Sequence, residues 1–378
     1  MSHITPFTPL LIGGSRTLSR TKSLIEDATS TVSKLVWGDG TKRDERYYIP
    51  DGNTVILVEN VLFKVHRSTL TSDSSVFGTS LPPPKSSKNP SPPGESDENP
   101  FVLGGETPEN FRTLLWALYA LYESNSSCPK LVACSLERTE VSPQDIAVLY
   151  APGADLDMIT RIASGAHKYN FVKLDSWAAD LLTSKLRERA KPENASSRFD
   201  FLLTLDYAVV SRKAQLKDEV VRIIKELVAD DDIDYARVIS FGGGRDHQAT
   251  WQKVLGMVYY HYTIQGPRRW DRDRTRLSER ARTLLFVAFA RLVDMRKSEI
   301  VWEHTCGNEK GCAARLQRHL EAQIYVGSPA DFASWVRCIP TQSFVVVSHS
   351  CIGRGVAALK ERARVLEEPW DFFASLQW

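Results

Sequence analysis

Cys351 lies in the part of the sequence that comes nearest to an enzyme motif. The β-branched run Phe344 to Val347 predicts a strand, and Ser348 to Gly355 predicts a glycine-rich loop that leads into an Ala/Leu-rich helix. A thiol at the start of a helix ionises more readily, and such a loop could hold an anion. A loop that wraps a phosphate, as in tyrosine phosphatases, needs an arginine six residues after the cysteine, where this chain has Ala357. The pattern therefore favours a small, partly buried Cys351 over a catalytic one.

A second group of residues has the types that bind zinc, namely His304, Cys306, Cys312 and His319. Tetrahedral zinc sites take imidazole and thiolate ligands, but the spacing between these two cysteines exceeds the usual two to four residues. A zinc site and a set of structural cysteines with surface histidines both stay open, and the second is favoured. The sequence accordingly predicts no cofactor.

The composition is that of a soluble globular protein, with 42% hydrophobic and 25% charged residues in 378. A net charge of +2 gives no overall attraction to nucleic acid or to an acidic membrane, so neither is an expected partner. Six cysteines in so long a chain indicate a reducing compartment, the cytoplasm or nucleus. The first 25 residues, which are basic and contain no acid, also fit a mitochondrial transit peptide, although a short disordered tail is favoured.

The stretch from Asp51 to Phe77 has the clearest secondary-structure pattern in the first half of the chain. Thr54 to Glu59 and Val61 to Val65 are β-branched and apolar, with Asn60 at the reversal, which predicts a β-hairpin. After the hairpin the apolar spacing changes and predicts two short helical turns that end at Phe77.

In this stretch the sequence resembles the BTB (POZ) family, in the style of fungal members. The match consists of a Val-Ile-Leu-Val strand followed by Phe63, Val65, His66, Arg67, Leu70, Ser75 and Phe77. Looser similarity continues to about Glu188, less than half of the chain. The resemblance implies an α+β fold, a small mixed sheet flanked by helices, and a role in protein–protein interaction, often as a homodimer, with no catalytic residues.

Two departures from the family concern the predicted interaction surface. The charged pocket of BTB repressors pairs an Asp with the Arg of the His-Arg motif, but here Asn53 takes the place of the Asp. Family members that recruit cullin-type ubiquitin ligases often carry an acid where this chain has Arg112, which predicts repulsion. The candidate interaction residues are Leu24, Ile25, Asn53, Phe63, His66, Arg67, Phe111 and Arg112.

The sequence predicts three regions. Residues 1–44 form a flexible segment in which Thr21 to Trp37 have helical spacing; this helix either faces a partner subunit or folds onto its own domain. Residues 45–190 form the BTB-like domain, in which residues 80–100, rich in proline, are a disordered insertion. Residues 191–378 form a mainly α-helical domain.

Two further segments have local signatures. Thr107-Pro108-Glu109 predicts a helix start, with a hydroxyl at the N-cap and proline at the first helical position. Gln265 to Arg282 carries seven arginines and three acids, a net charge of +4, which favours a solvated helix entrance with internal ion pairs over nucleic-acid contact.

The sequence therefore predicts a non-catalytic interaction module. The alternatives that stay open are a ubiquitin-ligase substrate adaptor, a transcriptional regulator, and an enzyme that uses the Cys351 loop.

Overall fold

The structure, a computed structural model, has an α+β architecture with a small mixed sheet followed by helices. It describes residues 40–81, 93–125, 143–188, 199–302, 307, 309–321, 327–339, 349–367 and 369–376. The chain divides into two compact units between Val220 and Val221, further along the chain than the predicted boundary at 190.

The first unit contains a four-stranded sheet in the order β1-β3-β2-β4. Its strands are β1 Lys42–Tyr48, β2 Thr54–Val58, β3 Val61–Val65 and β4 Phe101–Val102. The predicted hairpin is confirmed: β2 and β3 are antiparallel, with Thr54 opposite Val65 and Val58 opposite Val61. Glu59 turns the chain with a φ of 50°, a left-handed conformation. The outer strands β1 and β4 each run parallel to their neighbours.

Strand β1 corrects the prediction that residues up to 44 form a flexible segment. Its sequence is mostly charged, and among its residues only Asp44 and Tyr47 are buried. Such a strand has no run of β-branched residues, so its pairing with β3 comes from tertiary contacts and not from local propensity.

Residues 93–100 correct part of the prediction that residues 80–100 are a disordered insertion, because they are ordered. The backbone N–H of Val55 donates to the carbonyl of Gly94 at 2.8 Å, which holds residues 93–100 against the sheet. Asp97 accepts hydrogen bonds from Arg43 and from the hydroxyl of Tyr48, both at 2.7 Å. Polar contacts therefore order a segment that has little apolar surface to bury, and residues 82–92 lie outside the described part of the chain.

The helices that begin in the first unit are α1 Arg67–Leu70, α2 Phe77–Ser80, α3 Pro108–Asn125, α4 Pro143–Tyr150, α5 Leu156–Lys168, α6 Val172–Glu188, α7 Phe201–Val210 and α8 Ala214–Ala229. The predicted start of α3 is confirmed, since the N–H of Asn110 donates to the Thr107 hydroxyl at 3.3 Å. The side chain of Leu114 on α3 packs on Gly165 of α5 and would lie 3.6 Å from a β-carbon there, an ordinary van der Waals distance. Phe77 packs its ring against Tyr169, with centroids 5.0 Å apart.

The second unit is helical, as predicted. Its helices after α8 are α9 Tyr235–Gly242, α10 Ala249–Gln265, α11 Pro267–Trp270, α12 Glu279–Lys297, α13 Glu309–Glu321, α14 Phe332–Arg337, α15 His349–Arg364 and α16 Pro369–Ser375. Helix α10 packs against α9, α12 and α16. The backbone of Trp370 comes so close to Gly256 that any β-carbon there would clash with it, so this glycine permits the packing of α16 on α10.

Gly52→Ala should destabilise the first unit by about 1–3 kcal/mol, because its β-carbon would lie 2.9 Å from the backbone of Lys64 and Val65. Urea unfolding followed by circular dichroism measures the change. Gly153→Ala is the matched control, since no atom lies within 4 Å of its β-carbon position. Equal stability of the two variants would contradict the close approach of the Gly52 loop to β3.

Candidate interaction site

The loop from Ile49 to Asn53 lies along β3 and positions the first of the predicted site residues. The N–H of Ile49 donates to the carbonyl of Lys64 at 2.8 Å, and the N–H of Asn53 donates to that of Val65 at 3.1 Å. Asn53 then accepts a hydrogen bond from the backbone N–H of Arg67 at 2.7 Å. The Asn53 side chain therefore stabilises the start of α1, which follows directly after the hairpin.

His66 connects this loop to helix α3. Its backbone N–H donates to the hydroxyl of Tyr119 at 3.0 Å, and its Nδ1 lies 3.0 Å from the same hydroxyl. Its Nε2 lies 3.5 Å from a carboxylate oxygen of the exposed Asp51. Burial raises the pKa of Tyr119 to about 12, so this phenol stays protonated at neutral pH. The arrangement holds the imidazole in one orientation, which fits a structural role.

Arg67 and Asn53 do not form the charged pocket of the BTB repressors. The guanidinium of Arg67 donates to the carbonyl of Leu81 at 2.9 Å, while Asn53 contacts the Arg67 backbone. The carboxylate of Asp51 faces His66 and not Arg67. The three side chains are close together, but each is directed to a different partner.

Arg112 forms an ion pair that the sequence did not reveal. Its Nε donates to the carboxylate of Asp44 on β1 at 2.5 Å. The Asp44 carboxylate is buried and also accepts from the backbone N–H groups of Arg46 and Tyr47 at 3.1 and 2.9 Å. The positive charge of Arg112, predicted to repel a cullin-type partner, is thus balanced inside the domain. Asp44 and Arg112 are 68 positions apart, and no local pattern links them.

Phe63 and Phe111 are core residues, which corrects their assignment to a partner surface. Both side chains are fully buried, and their rings meet edge to face with centroids 5.0 Å apart. An aromatic pair of this geometry stabilises the contact between β3 and α3. Leu24 and Ile25, the other two apolar candidates, lie outside the described residues.

The predicted glycine-rich loop at Cys351 is wrong. Helix α15 begins at His349, so Cys351 lies in its first turn, and Gly353 and Gly355 are helical. Cys351 is buried. Gly355 has no side chain and therefore leaves room for Trp302, whose ring atoms would lie 3.2 Å from a β-carbon there. The strand predicted at 344–347 lies outside the described part of the chain.

The alternative of a zinc site involves four residues, two of which the structure describes. Cys312 is buried on α13, and His319 belongs to the same helix, whereas His304 and Cys306 lie outside the described residues. Among the residues that are described, no group of three His, Cys, Asp or Glu side chains could hold a metal ion.

A buried polar network around Asp175 was missed at the sequence level. The hydroxyl of Tyr207 donates to one carboxylate oxygen at 2.6 Å, and Lys213 approaches the other at 2.7 Å. His167, which has no partner in the local sequence, lies with Nδ1 3.9 Å from the same carboxylate. The network joins α5 and α6 to α7 and to the residue before α8.

Comparison with protein-family models, curated proteins and solved structures finds no match for this chain. The BTB resemblance therefore stays a prediction that depends on the hairpin and the residues directly after it. No helix in the described ranges is long and apolar enough to span a membrane.

Asp44→Ala should lower the free energy of unfolding by about 2–4 kcal/mol, because two backbone N–H groups and Arg112 lose their acceptor. Denaturant titration measures the loss. Glu45→Ala, which removes an exposed acid from the same strand, should change stability by less than about 0.5 kcal/mol. Similar losses in both variants would show that Asp44 does not anchor β1.

His167→Gln should reduce the loss of stability on acidification. Burial lowers the pKa of His167, and the Lys213 charge adds to this shift while Asp175 opposes it. The folded state therefore binds fewer protons than the unfolded state, whose histidine pKa is about 6.5, and stability falls as the pH drops through that value.

The free energy of unfolding of the wild type and of His167→Gln, measured at several pH values between about 8 and about 5, shows how steeply the stability of each falls around the reference pKa. The same substitution at the exposed His247 controls for the change of residue type. A His167→Gln slope equal to that of the wild type would refute the contribution of this imidazole.

Proposed function

We propose that the chain is a non-catalytic protein-interaction module whose first unit is a BTB-like domain that self-associates. The order of elements supports this proposal. A hairpin is followed by His66-Arg67, two short helices, the long helix α3 and the pair α5–α6, which is the order that the resemblance implies. His66, the histidine of the motif, is held in internal hydrogen bonds to Tyr119.

The observation that carries the proposal is the outer face of helix α4. Ile146 and Leu149 are buried on its inner side, where the helix packs on α3. Val148 and Tyr150 are 63% and 53% exposed, and Ala147 is exposed beside them. A helix that presents apolar side chains on both faces has one face left to bury.

Tyr150 is fixed in place on this face. Its hydroxyl accepts a hydrogen bond from the indole N–H of Trp177 at 2.8 Å, and its carbonyl accepts one from Lys185 at 2.7 Å. An aromatic side chain that is already ordered loses little conformational entropy on binding. Ordered aromatic residues of this kind are frequent among those that contribute most to interface energies.

A second copy of the chain is the partner that this face fits most simply. In a two-fold symmetric dimer the same patch lies on both subunits, so one apolar face needs no separate complementary surface. A stable dimer should bury at least about 1,000 Å² with an apolar centre.

Val148→Asp should raise the dissociation constant of self-association by at least about tenfold, since it places a charge on the apolar face. Light scattering of the full chain at several concentrations measures this constant. Val301→Asp is the matched control, because Val301 is 80% exposed in the second unit and should leave association unchanged. A chain that is monomeric at every concentration would overturn the dimer, and equal effects of both variants would exclude α4 as the interface.

A further inference from the structure

The arginine-rich segment of the second unit divides into paired and unpaired charges. Asp273 accepts from Arg269 at 3.1 Å, from Arg276 at 3.4 Å and from the hydroxyl of Tyr262 at 2.6 Å. Arg276 also pairs with Asp234 at the start of α9. The internal ion pairs predicted for this segment are therefore present, and they use Arg269 and Arg276.

Three other arginines of the segment point to solvent. Arg268, Arg272 and Arg274 are exposed, and none of them forms an ion pair with a residue of the described ranges. Arg282, in the second turn of α12, has a buried Nε with no hydrogen-bond partner in the same described part of the chain. Asp271 and Glu279 are the exposed acids nearby, so positive charge remains in excess.

An exposed aromatic residue packs against Trp270, which belongs to the arginine-rich segment. Phe286 is 53% exposed and packs edge to face on the ring of Trp270, with centroids 5.2 Å apart. Trp270 is itself buried, and its indole N–H donates to the carbonyl of Tyr262 at 2.6 Å. Phe286 therefore packs on a side chain that is itself held in place. Arg282 precedes it by four residues and so lies on the same face of α12.

We propose that this surface binds an acidic segment of a partner protein that carries an apolar anchor residue. We name it the Arg/Phe surface, defined by Arg268, Arg272, Arg274, Arg282 and Phe286. Guanidinium groups without an internal partner are suited to carboxylates, which they bind through two parallel hydrogen bonds. Phe286 offers an apolar contact for the anchor residue, so charge and shape together select the partner.

The composition of the surface favours an acidic protein segment over nucleic acid. Single-stranded nucleic acid is bound by successive aromatic residues in a continuous positive groove. Here one aromatic side chain is exposed, and Asp271 and Glu279 interrupt the positive charge. The surface belongs to the second unit, so the proposal does not depend on self-association through α4.

Fluorescence anisotropy of the full chain tests the proposal with three labelled peptides. The first is rich in Glu and Asp with one central Phe, the second has Ser in place of that Phe, and the third has Lys in place of the acids. We expect the first to bind most tightly, the second more weakly and the third not at all. Binding of the first should weaken as salt is added.

Arg272→Glu with Arg274→Glu should weaken binding of the acidic Phe peptide by at least about tenfold. Phe286→Ala should weaken the same peptide by about fivefold and leave the Ser peptide unchanged, because it removes only the apolar contact. Arg315→Glu with Arg318→Glu, exposed arginines of α13, makes the same charge change elsewhere in the unit and should have no effect. Gln substitutions at Arg272 and Arg274 repeat the test without adding negative charge.

Three results would overturn the proposal. The first is failure of the acidic Phe peptide to bind, and the second is equal affinity for the Phe and Ser peptides. The third is that a single-stranded oligonucleotide binds more tightly than the acidic Phe peptide, and that this binding is lost in the Arg272 and Arg274 variants but kept in Phe286→Ala. Such a result would assign the surface to nucleic acid. These outcomes leave the light-scattering test of α4 unaffected.

Discussion

The first unit depends on one buried charge, the carboxylate of Asp44. A carboxylate removed from water is costly unless several donors surround it, and here two backbone N–H groups and Arg112 do so. This ion pair fixes the charged strand β1 to α3, a strand whose own sequence would not hold it in a sheet. Arg112 also lies over the ring of Phe63, so the polar contact and the apolar core meet on the same helix.

Helix α3 is accordingly the element on which the rest of the unit is built. It contacts β3 through the pair of Phe111 and Phe63, the end of the hairpin through Tyr119, and α5 through Leu114. Each contact uses a different interaction, namely aromatic packing, a hydrogen bond to a histidine, and van der Waals packing of a leucine on a glycine. Together they explain why residues that resemble a recognition motif are directed inward.

Because the side chains of the motif residues contact the interior of the first unit, the groups that are free to contact other molecules lie elsewhere on the surface. In the first unit the exposed feature is apolar, a helix face with an ordered tyrosine. In the second unit it is a set of arginines beside an exposed phenylalanine. The two surfaces differ in chemistry, since one is apolar and the other is positively charged. Apolar faces contribute mainly to affinity, whereas complementary charges contribute to specificity and to the rate of association.

The sequence by itself determined the local elements of this protein. The hairpin from Thr54 to Val65, the start of α3 at Pro108 and the helical character of the second half follow from side-chain periodicity and capping residues, which act over a few positions. The local pattern was wrong at Cys351, where Gly353 and Gly355 suggested a loop but lie within helix α15. Gly355 leaves room there for the side chains of Leu316 and Trp302.

Only the tertiary structure decided which side chains meet. The pairing of β1 with β3, the ion pair of Asp44 with Arg112, and the network around Asp175 join residues that are far apart in the chain. Whether Phe63 and Phe111 form a core or a surface depends in the same way on what packs against them. Contacts of this kind leave no periodic signal in a single sequence, because they arise from the packing of whole elements and not from the propensity of any one of them.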